Sequence, residues 1–305
     1  MDNCFLNDQF LQILTENLKN WQNVKSKTDL EISVPGGFTG TTFLLKNKLT
    51  EKSINNPVIL KLHIEGRRPG LQKEMKFAEI LSEQGWGPEI YFQCDQFRIE
   101  RFLELIPMGI YEMRNPYYMS SIVQKLVEFE HNSELNKFLT EFYKGKKQTL
   151  LMEFKDAIYP KFQTKIEQIE GYIGECDDDI QELFGVVKRE YYDQNQIAYL
   201  ERIFKEDITS DSVRVSHYDV QQGNILKFAA DQSKIIIIDY EDPLFAPTYL
   251  GLGSFLGSIM RENSHPEGYG VKFYPDNAIT EREIRFCRGL SYRGKRIFMR
   301  MLYTQ

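Results

Sequence analysis

Between residues 5 and 20 the chain reads FLNDQFLQILTENLKN, in which Phe5, Phe10, Ile13, Leu14 and Leu18 fall near helical spacing. That pattern predicts a leading helix with one apolar face. From Glu31 to Leu62 the texture changes to short apolar runs, ISV, TTFLL and VILKL, separated by PGG and by the polar stretch 47–56. Such alternation of apolar runs and turn residues predicts antiparallel strands. Residues 71–84 return to helical spacing and stop at Gly85, with Gly87-Pro88 beyond. YFQC and FRIERFL then predict two more strands, so the first hundred or so residues make one small sheet with a helix.

Past Pro107 the pattern is mostly helical, in segments near 119–131, 134–144, 148–170 and 179–207 that are too long for strands. At Val213 it breaks into VRVS, HYDVQQGN, ILKF and KIIIIDY, which predicts short strands around a polar loop. Helices near 249–262 and 281–301 complete the chain. The expected organisation is α+β and two-lobed: a small antiparallel-sheet lobe over 1–106 and a mostly helical lobe over 107–305 that contains the polar loop and the strand after it.

Composition narrows the function classes. At 305 residues with 42% hydrophobic side chains, the chain has material for two cores. A net charge of −6 argues against nucleic acid as the main partner. The four cysteines, Cys4, Cys94, Cys176 and Cys287, show no CxxC spacing, so neither a zinc site nor a disulfide framework is expected. The first ten residues lack a basic run followed by an apolar stretch, and no segment approaches the roughly 18 apolar residues of a membrane span. These features set the expectation of a cytoplasmic protein.

The chemistry concentrates in Ser216-His217-Tyr218-Asp219-Val220-Gln221-Gln222-Gly223-Asn224, followed by Asp239 at the end of an apolar strand. Phosphoryl transfer to an alcohol needs a carboxylate to orient the hydroxyl and accept its proton, and oxygen ligands to hold magnesium on the nucleotide phosphates. Asp219 suits the first role. Asn224 and Asp239, hard ligands on a loop and a strand end, suit the second, and His217 is placed to shape the loop. A lone Asp or Asn between strands is usually a turn former; the ordered set of four residues ahead of a strand is what points to catalysis.

HYDVQQGNILKF followed by KIIIIDYE resembles the phosphotransferase signature of the choline/ethanolamine kinases, which usually reads HND-x-x-x-x-N and then IDYEY or IDFEY. EMKFAEILSEQGWGPEIY (74–91) and FRIERFL (97–103) are similar to that family's helix ending in Gly-Pro and to its hinge strand. The resemblance covers roughly residues 30–285. It implies a protein-kinase-like fold that takes ATP and Mg2+ and phosphorylates the hydroxyl of a small amino alcohol, choline or ethanolamine, for phospholipid precursor synthesis. It also implies roles in the first lobe: Gly36, Gly37 and Thr39 over the nucleotide, Lys61 on the phosphates, Glu74 holding that lysine, and Glu100 with Phe102 at the hinge. Tyr240 and Glu241, inside the IDYE match, are the implied substrate contacts.

The sequence departs from the family at several points. Tyr218 stands for the Asn of HND, Asp242 for the second aromatic of DYEY, and GLGSFLGS (251–258) for an Asp-Ile-Gly-Asn-His-Phe stretch with an acidic residue after it. Carboxylates that would face an ammonium group are therefore missing there. An aromatic cage for choline cannot use tryptophan beyond the hinge, because the chain has only Trp21 and Trp86; Tyr240, Phe245, Tyr249 and Tyr269 are the stand-ins. The basic stretch 281–305, with Arg282, Arg285, Arg288, Arg293, Lys295, Arg296 and Arg300, could dock a protein partner or an anionic surface. A structural subunit of an assembly is thus the alternative to an enzyme, and an antibiotic or protein hydroxyl the alternative acceptor.

Overall fold

Asn7 starts the first helix of the computed structural model, its side-chain oxygen accepting the Phe10 N–H at 2.9 Å. The structure describes residues 7–34, 42–53, 55–63, 68–145, 152, 155, 159–189, 198, 202, 213–217, 219–240, 244–247, 250–262, 272–273 and 279–290. The fold divides into two units, Met1–Gly109 with Gln221–Asp242, and Ile110–Val220 with Pro243–Gln305.

In the first unit, α1 (Asp8–Asn17) covers a sheet of β1 (Leu30–Ser33), β2 (Thr42–Asn47), β3 (Val58–Leu62), β4 (Ile90–Gln93) and β5 (Phe97–Arg101). The strand order is β1-β2-β3-β5-β4, antiparallel throughout. Period-two alternation decides which side chains are buried. Phe43, Leu45, Val58, Leu60, Phe97 and Ile99 form one core with Phe10, Leu14 and Trp21. Burying each such side chain contributes roughly 1.5–3 kcal/mol. The intervening positions, Ile59, Lys61, Arg98 and Glu100, share the reverse face, where Lys61 pairs in register with Arg98 and Ile59 with Glu100. Helix α2 (Arg68–Glu83) ends at Gly85, which takes φ 70° while the Trp86 N–H closes back on the Leu81 carbonyl at 2.9 Å. Only glycine enters that left-handed cap without strain.

A second sheet in this unit joins β6 (Leu105–Pro107), β8 (Ile225–Phe228) and β9 (Ile235–Ile237) in the order β6-β8-β9. Residues 107–305 were all expected in the second lobe, yet Gln221–Asp242 groups with the first unit. The reason is the ladder pairing Leu105 with Phe228 and Pro107 with Leu226, through a β6 too short to stand out in the apolar pattern.

The second unit is built on α3 (Ile110–Met113), α4 (Pro116–Glu130), α5 (Ser133–Phe142), α6 (Tyr159–Glu170) and α7 (Asp178–Val187). Asn115 and Asn132 cap α4 and α5, and Asp178 and Asp179 complement the dipole of α7. Met119, Ile122, Val123, Leu126 and Phe129 make the buried stripe of α4. β7 (Val213–Ser216) pairs antiparallel with β10 (Leu244–Pro247), and α8 (Leu250–Ser258) and α9 (Glu281–Leu290) follow. The expected helices over 148–170, 179–207 and 281–301 are described only over 159–170, 178–189 and 281–290; their remaining residues lie outside the described ones, apart from Met152, Lys155, Ala198 and Arg202.

Glu283 ties α9 into this unit twice. It forms a capping box with Thr280, and its carboxylate takes the Arg114 guanidinium in a fork at 2.6 and 2.9 Å. The hydrogen bonds from Arg114 hold the Glu283 carboxyl down at about 2, against an ordinary 4.5. A depressed acid stabilises the fold above its unfolded pKa and loses that contribution as pH falls toward the folded one. Glu283→Gln is therefore expected to cost about 2 kcal/mol at pH 7. Urea unfolding at pH 7 and at pH 3 should show the gap between variant and wild type closing in acid.

Candidate functional site

The candidate residues fall into two groups, one in each unit. In the first unit the β8–β9 hairpin is built in the register Ile225–Ile237, Leu226–Ile236, Lys227–Ile235. One step beyond, the Ile238 N–H donates to the Asn224 carbonyl at 2.9 Å. The register brings the backbones of Asn224, just before β8, and Asp239, just after β9, to the same open end of the hairpin. Asp239 sits at φ 69°, a left-handed conformation that Asp and Asn tolerate better than other residues with a side chain.

Lys61 reaches Asp239 from β3, its Nζ 3.5 Å from Oδ1. The alternation Leu60-Lys61-Leu62 puts the lysine on the sheet face away from α1, beside Arg98. Arg98 is 8% exposed; its Nε donates to Glu100 at 2.8 Å and its Nη1 lies 3.8 Å from Glu74 of α2. Lys61 with Asp239, and Arg98 with Glu74 and Glu100, thus make two neighbouring charge clusters, joined by the Lys61–Arg98 register. Phe102 follows β5 and is half-buried.

The donor set fits a hard divalent cation. Asn224 and Asp239 are oxygen ligands at one hairpin end, and the Asp239 carboxylate already attracts a cation, the Lys61 ammonium. Among the described residues there is no cluster of three or more His, Cys, Asp and Glu. Two protein ligands suit magnesium that keeps waters and takes phosphate oxygens, and a dedicated all-protein cage is not required.

In the second unit, β7 delivers the loop that starts at His217. The His217 side chain is buried, its ring centroid 6.3 Å from that of Phe129, whereas Asp219 is exposed. The loop is pinned on both sides: the Val215 N–H donates to Asn136 Oδ1 at 3.0 Å, and the Val220 N–H to Ser254 Oγ at 3.1 Å. Asn136 in turn donates to the Glu130 carbonyl at 2.8 Å, joining β7 to the α4–α5 corner. Val220 ends this unit's stretch and Gln221 opens the one that belongs to the first, so the motif crosses from one unit to the other.

The structure gives Lys61, Glu74, Glu100, Phe102, Asn224, Asp239 and Tyr240 to the first unit, and His217 with Asp219 to the second. Burial pushes the Tyr240 phenol up, so it stays a neutral hydrogen-bonding group at physiological pH. Gly36, Gly37, Thr39, Tyr218, Glu241, Asp242, Tyr249 and Tyr269 lie outside the described residues. Trp21 is fully buried with its Nε1 on the Asn55 carbonyl at 2.7 Å, and Phe245 is buried on β10, so neither serves a cage. Sequence reading missed Arg98, Asn136, Gly251 and Ser254. Arg98 alone had a local signal, two positions before Glu100 on the same strand face.

The chain matches the choline/ethanolamine kinase family profile over residues 32–287. A probable choline kinase 2 of Arabidopsis thaliana is 23% identical over 272 residues, covering 88% of this chain and 70% of the relative. The human choline/ethanolamine kinase is 21% identical over 279 residues, covering 88% of this chain and 64% of its own length. Among solved structures, choline kinase from Cryptosporidium parvum Iowa II superposes with a TM-score of 0.68 at 17% identity, over 94% of this chain and 78% of that one. With a profile match across most of its length and a matching fold, this chain belongs to the choline/ethanolamine kinase family.

Proposed function

We propose that the protein transfers the γ-phosphoryl group of ATP, with Mg2+, to the hydroxyl of choline or ethanolamine, a step that supplies phospholipid precursors. The observation that carries this reading is the β8–β9 register, which sets Asn224 beside Asp239 with Lys61 3.5 Å from the Asp239 carboxylate. Asp219 orients the acceptor hydroxyl and takes its proton. Asn224 and Asp239 hold the metal, which when bound neutralises charge on the transferring phosphoryl group. Lys61 contacts the phosphates, kept in place by Glu74. Glu100 and Phe102 border the base, and Gly36, Gly37 and Thr39 cover the phosphates. His217 braces the loop from inside the core.

The acceptor end rests on fewer groups. α8 is apolar, with Leu252, Phe255 and Leu256 buried and no carboxylate along it, so Tyr240 and Glu241 are left as the contacts for an ammonium group. Among the described residues no helix is long and apolar enough to cross a membrane, in keeping with a small polar substrate reached from water.

Thermal unfolding with and without Mg-ATP tests the nucleotide half. At about 100 times its dissociation constant a ligand stabilises by roughly 2.7 kcal/mol, or about two degrees or more for a chain of this size. The shift should need magnesium, and a coupled ADP-release assay should then show turnover with choline or ethanolamine. No shift at millimolar Mg-ATP, and no turnover with either alcohol, would overturn the reading.

A further inference from the structure

Glu130, the last residue of α4, is 4% exposed. Its Oε1 has no hydrogen-bond partner, and neither has the Oγ of Ser216, the last residue of β7. Both oxygens stand at the open side of Gly251 on α8. A methyl group placed on Gly251 would lie 3.2 Å from Glu130 Oε1, 3.3 Å from the His217 backbone oxygen and 3.5 Å from Ser216 Oγ. A carboxyl, a carbonyl and a hydroxyl oxygen thus converge on one point, which the absence of a side chain at 251 leaves free.

Proton counting decides what this arrangement is for. With Glu130 ionised, the Ser216 hydroxyl carries the one proton among the three groups, and a desolvated charge faces a carbonyl of like partial charge. With Glu130 protonated, the acid gains a proton that it can donate toward the His217 carbonyl, and no buried charge is left facing that oxygen. Burial pushes the Glu130 carboxyl well above the usual carboxylate range, in the direction the proton count requires.

We propose that Glu130 is a positioning residue for phosphoryl transfer, a neutral carboxylic acid that ties the end of α4 to the His217 carbonyl across Gly251 and so fixes the loop presenting Asp219. The proposal rests on the role given to Asp219 under the proposed function. It completes a set of three ties: Asn136 holds the loop before His217, at Val215, and Ser254 holds it after Asp219, at Val220. On α4 Glu130 stands next to Phe129, whose ring lies 6.3 Å from that of His217, and Asn136 keeps the Glu130 backbone anchored through its carbonyl.

Glu130→Gln keeps a neutral donor of the same shape, and Glu130→Leu removes the donor at similar volume. Steady-state kinetics on both should give a Leu variant with kcat down roughly 10- to 100-fold, the cost of a slightly misplaced catalytic group, and with KM for ATP within about twofold of wild type. The Gln variant should run within about twofold of wild type in both. Hydrogen exchange gives a readout that needs no turnover: the amides of 217–220 should exchange at least about tenfold faster in the Leu variant and unchanged in the Gln variant. If the wild type phosphorylates neither alcohol, the proposed function fails alone and exchange still decides the tie. A Leu variant with wild-type exchange, or a Gln variant as disturbed as Leu, overturns the proposal. Should the Leu variant not fold, the Gln variant decides by itself: wild-type exchange upholds a neutral donor, and faster exchange overturns it.

Discussion

Asp219→Asn is expected to lower kcat by about a thousandfold, within the range a general base supplies, and to leave the unfolding midpoint within about a degree of wild type. The two halves of that expectation come from one fact: Asp219 is exposed, while the loop around it is held by other residues. Its backbone is fixed by the Val220 N–H on Ser254 and by the β7–β10 ladder that ends at Ser216 and Leu244. An asparagine keeps the shape and the hydrogen-bonding reach, and it cannot accept the proton of the attacking hydroxyl. KM for ATP should stay within about twofold, because Asp219 is assigned to the acceptor and not to the nucleotide. A variant that turns over at the wild-type rate would remove Asp219 from the mechanism, and a variant that unfolds several degrees early would make it a structural residue.

Sequence patterning captured the first unit well because its signals are local. Leu60-Lys61-Leu62 and Phe97-Arg98-Ile99 alternate strictly, so one face had to be core and the other polar, and the fold follows that division. Gly85 announced the end of α2 by the conformation it alone takes freely. The motif from His217 to Asp239 was legible as chemistry because its spacing is fixed by a loop and a hairpin. Its membership in two units was not legible, since it depends on β6, whose three residues Leu105–Pro107 carry no alternation to read. Arg98 was passed over in a strand read for its hinge position, although its register partner is Lys61. Asn136 and Ser254 hold the loop from positions 79 and 34 residues away, and Gly251 lies against it at His217. No window of sequence contains both ends of such a contact, and an Asn, a Gly and a Ser in helices look like ordinary composition until the chain folds.

Asp239→Asn should separate metal binding from backbone conformation. At φ 69° the backbone of residue 239 is left-handed, and asparagine occupies that region about as readily as aspartate. The hairpin should therefore survive, with Ile238 still bonded to the Asn224 carbonyl. What changes is charge: under the proposed function the metal would lose the one formally negative member of the Asn224–Asp239 pair, and Lys61 loses the carboxylate 3.5 Å from its ammonium. The expected result is a fall in kcat/KM for Mg-ATP of roughly 10²–10³, the scale of removing one electrostatic stabiliser of the transferring group. Calorimetric titration of ATP should show the magnesium-dependent part of its affinity lost, while metal-free ATP binds at least as well as to wild type because one negative charge is removed from the hairpin end. Asp239→Ala should show the same kinetic loss plus about 1 kcal/mol or more of instability from the strained backbone. If Asp239→Asn retains the full magnesium dependence, the metal is held elsewhere and Asp239 has no part in holding it.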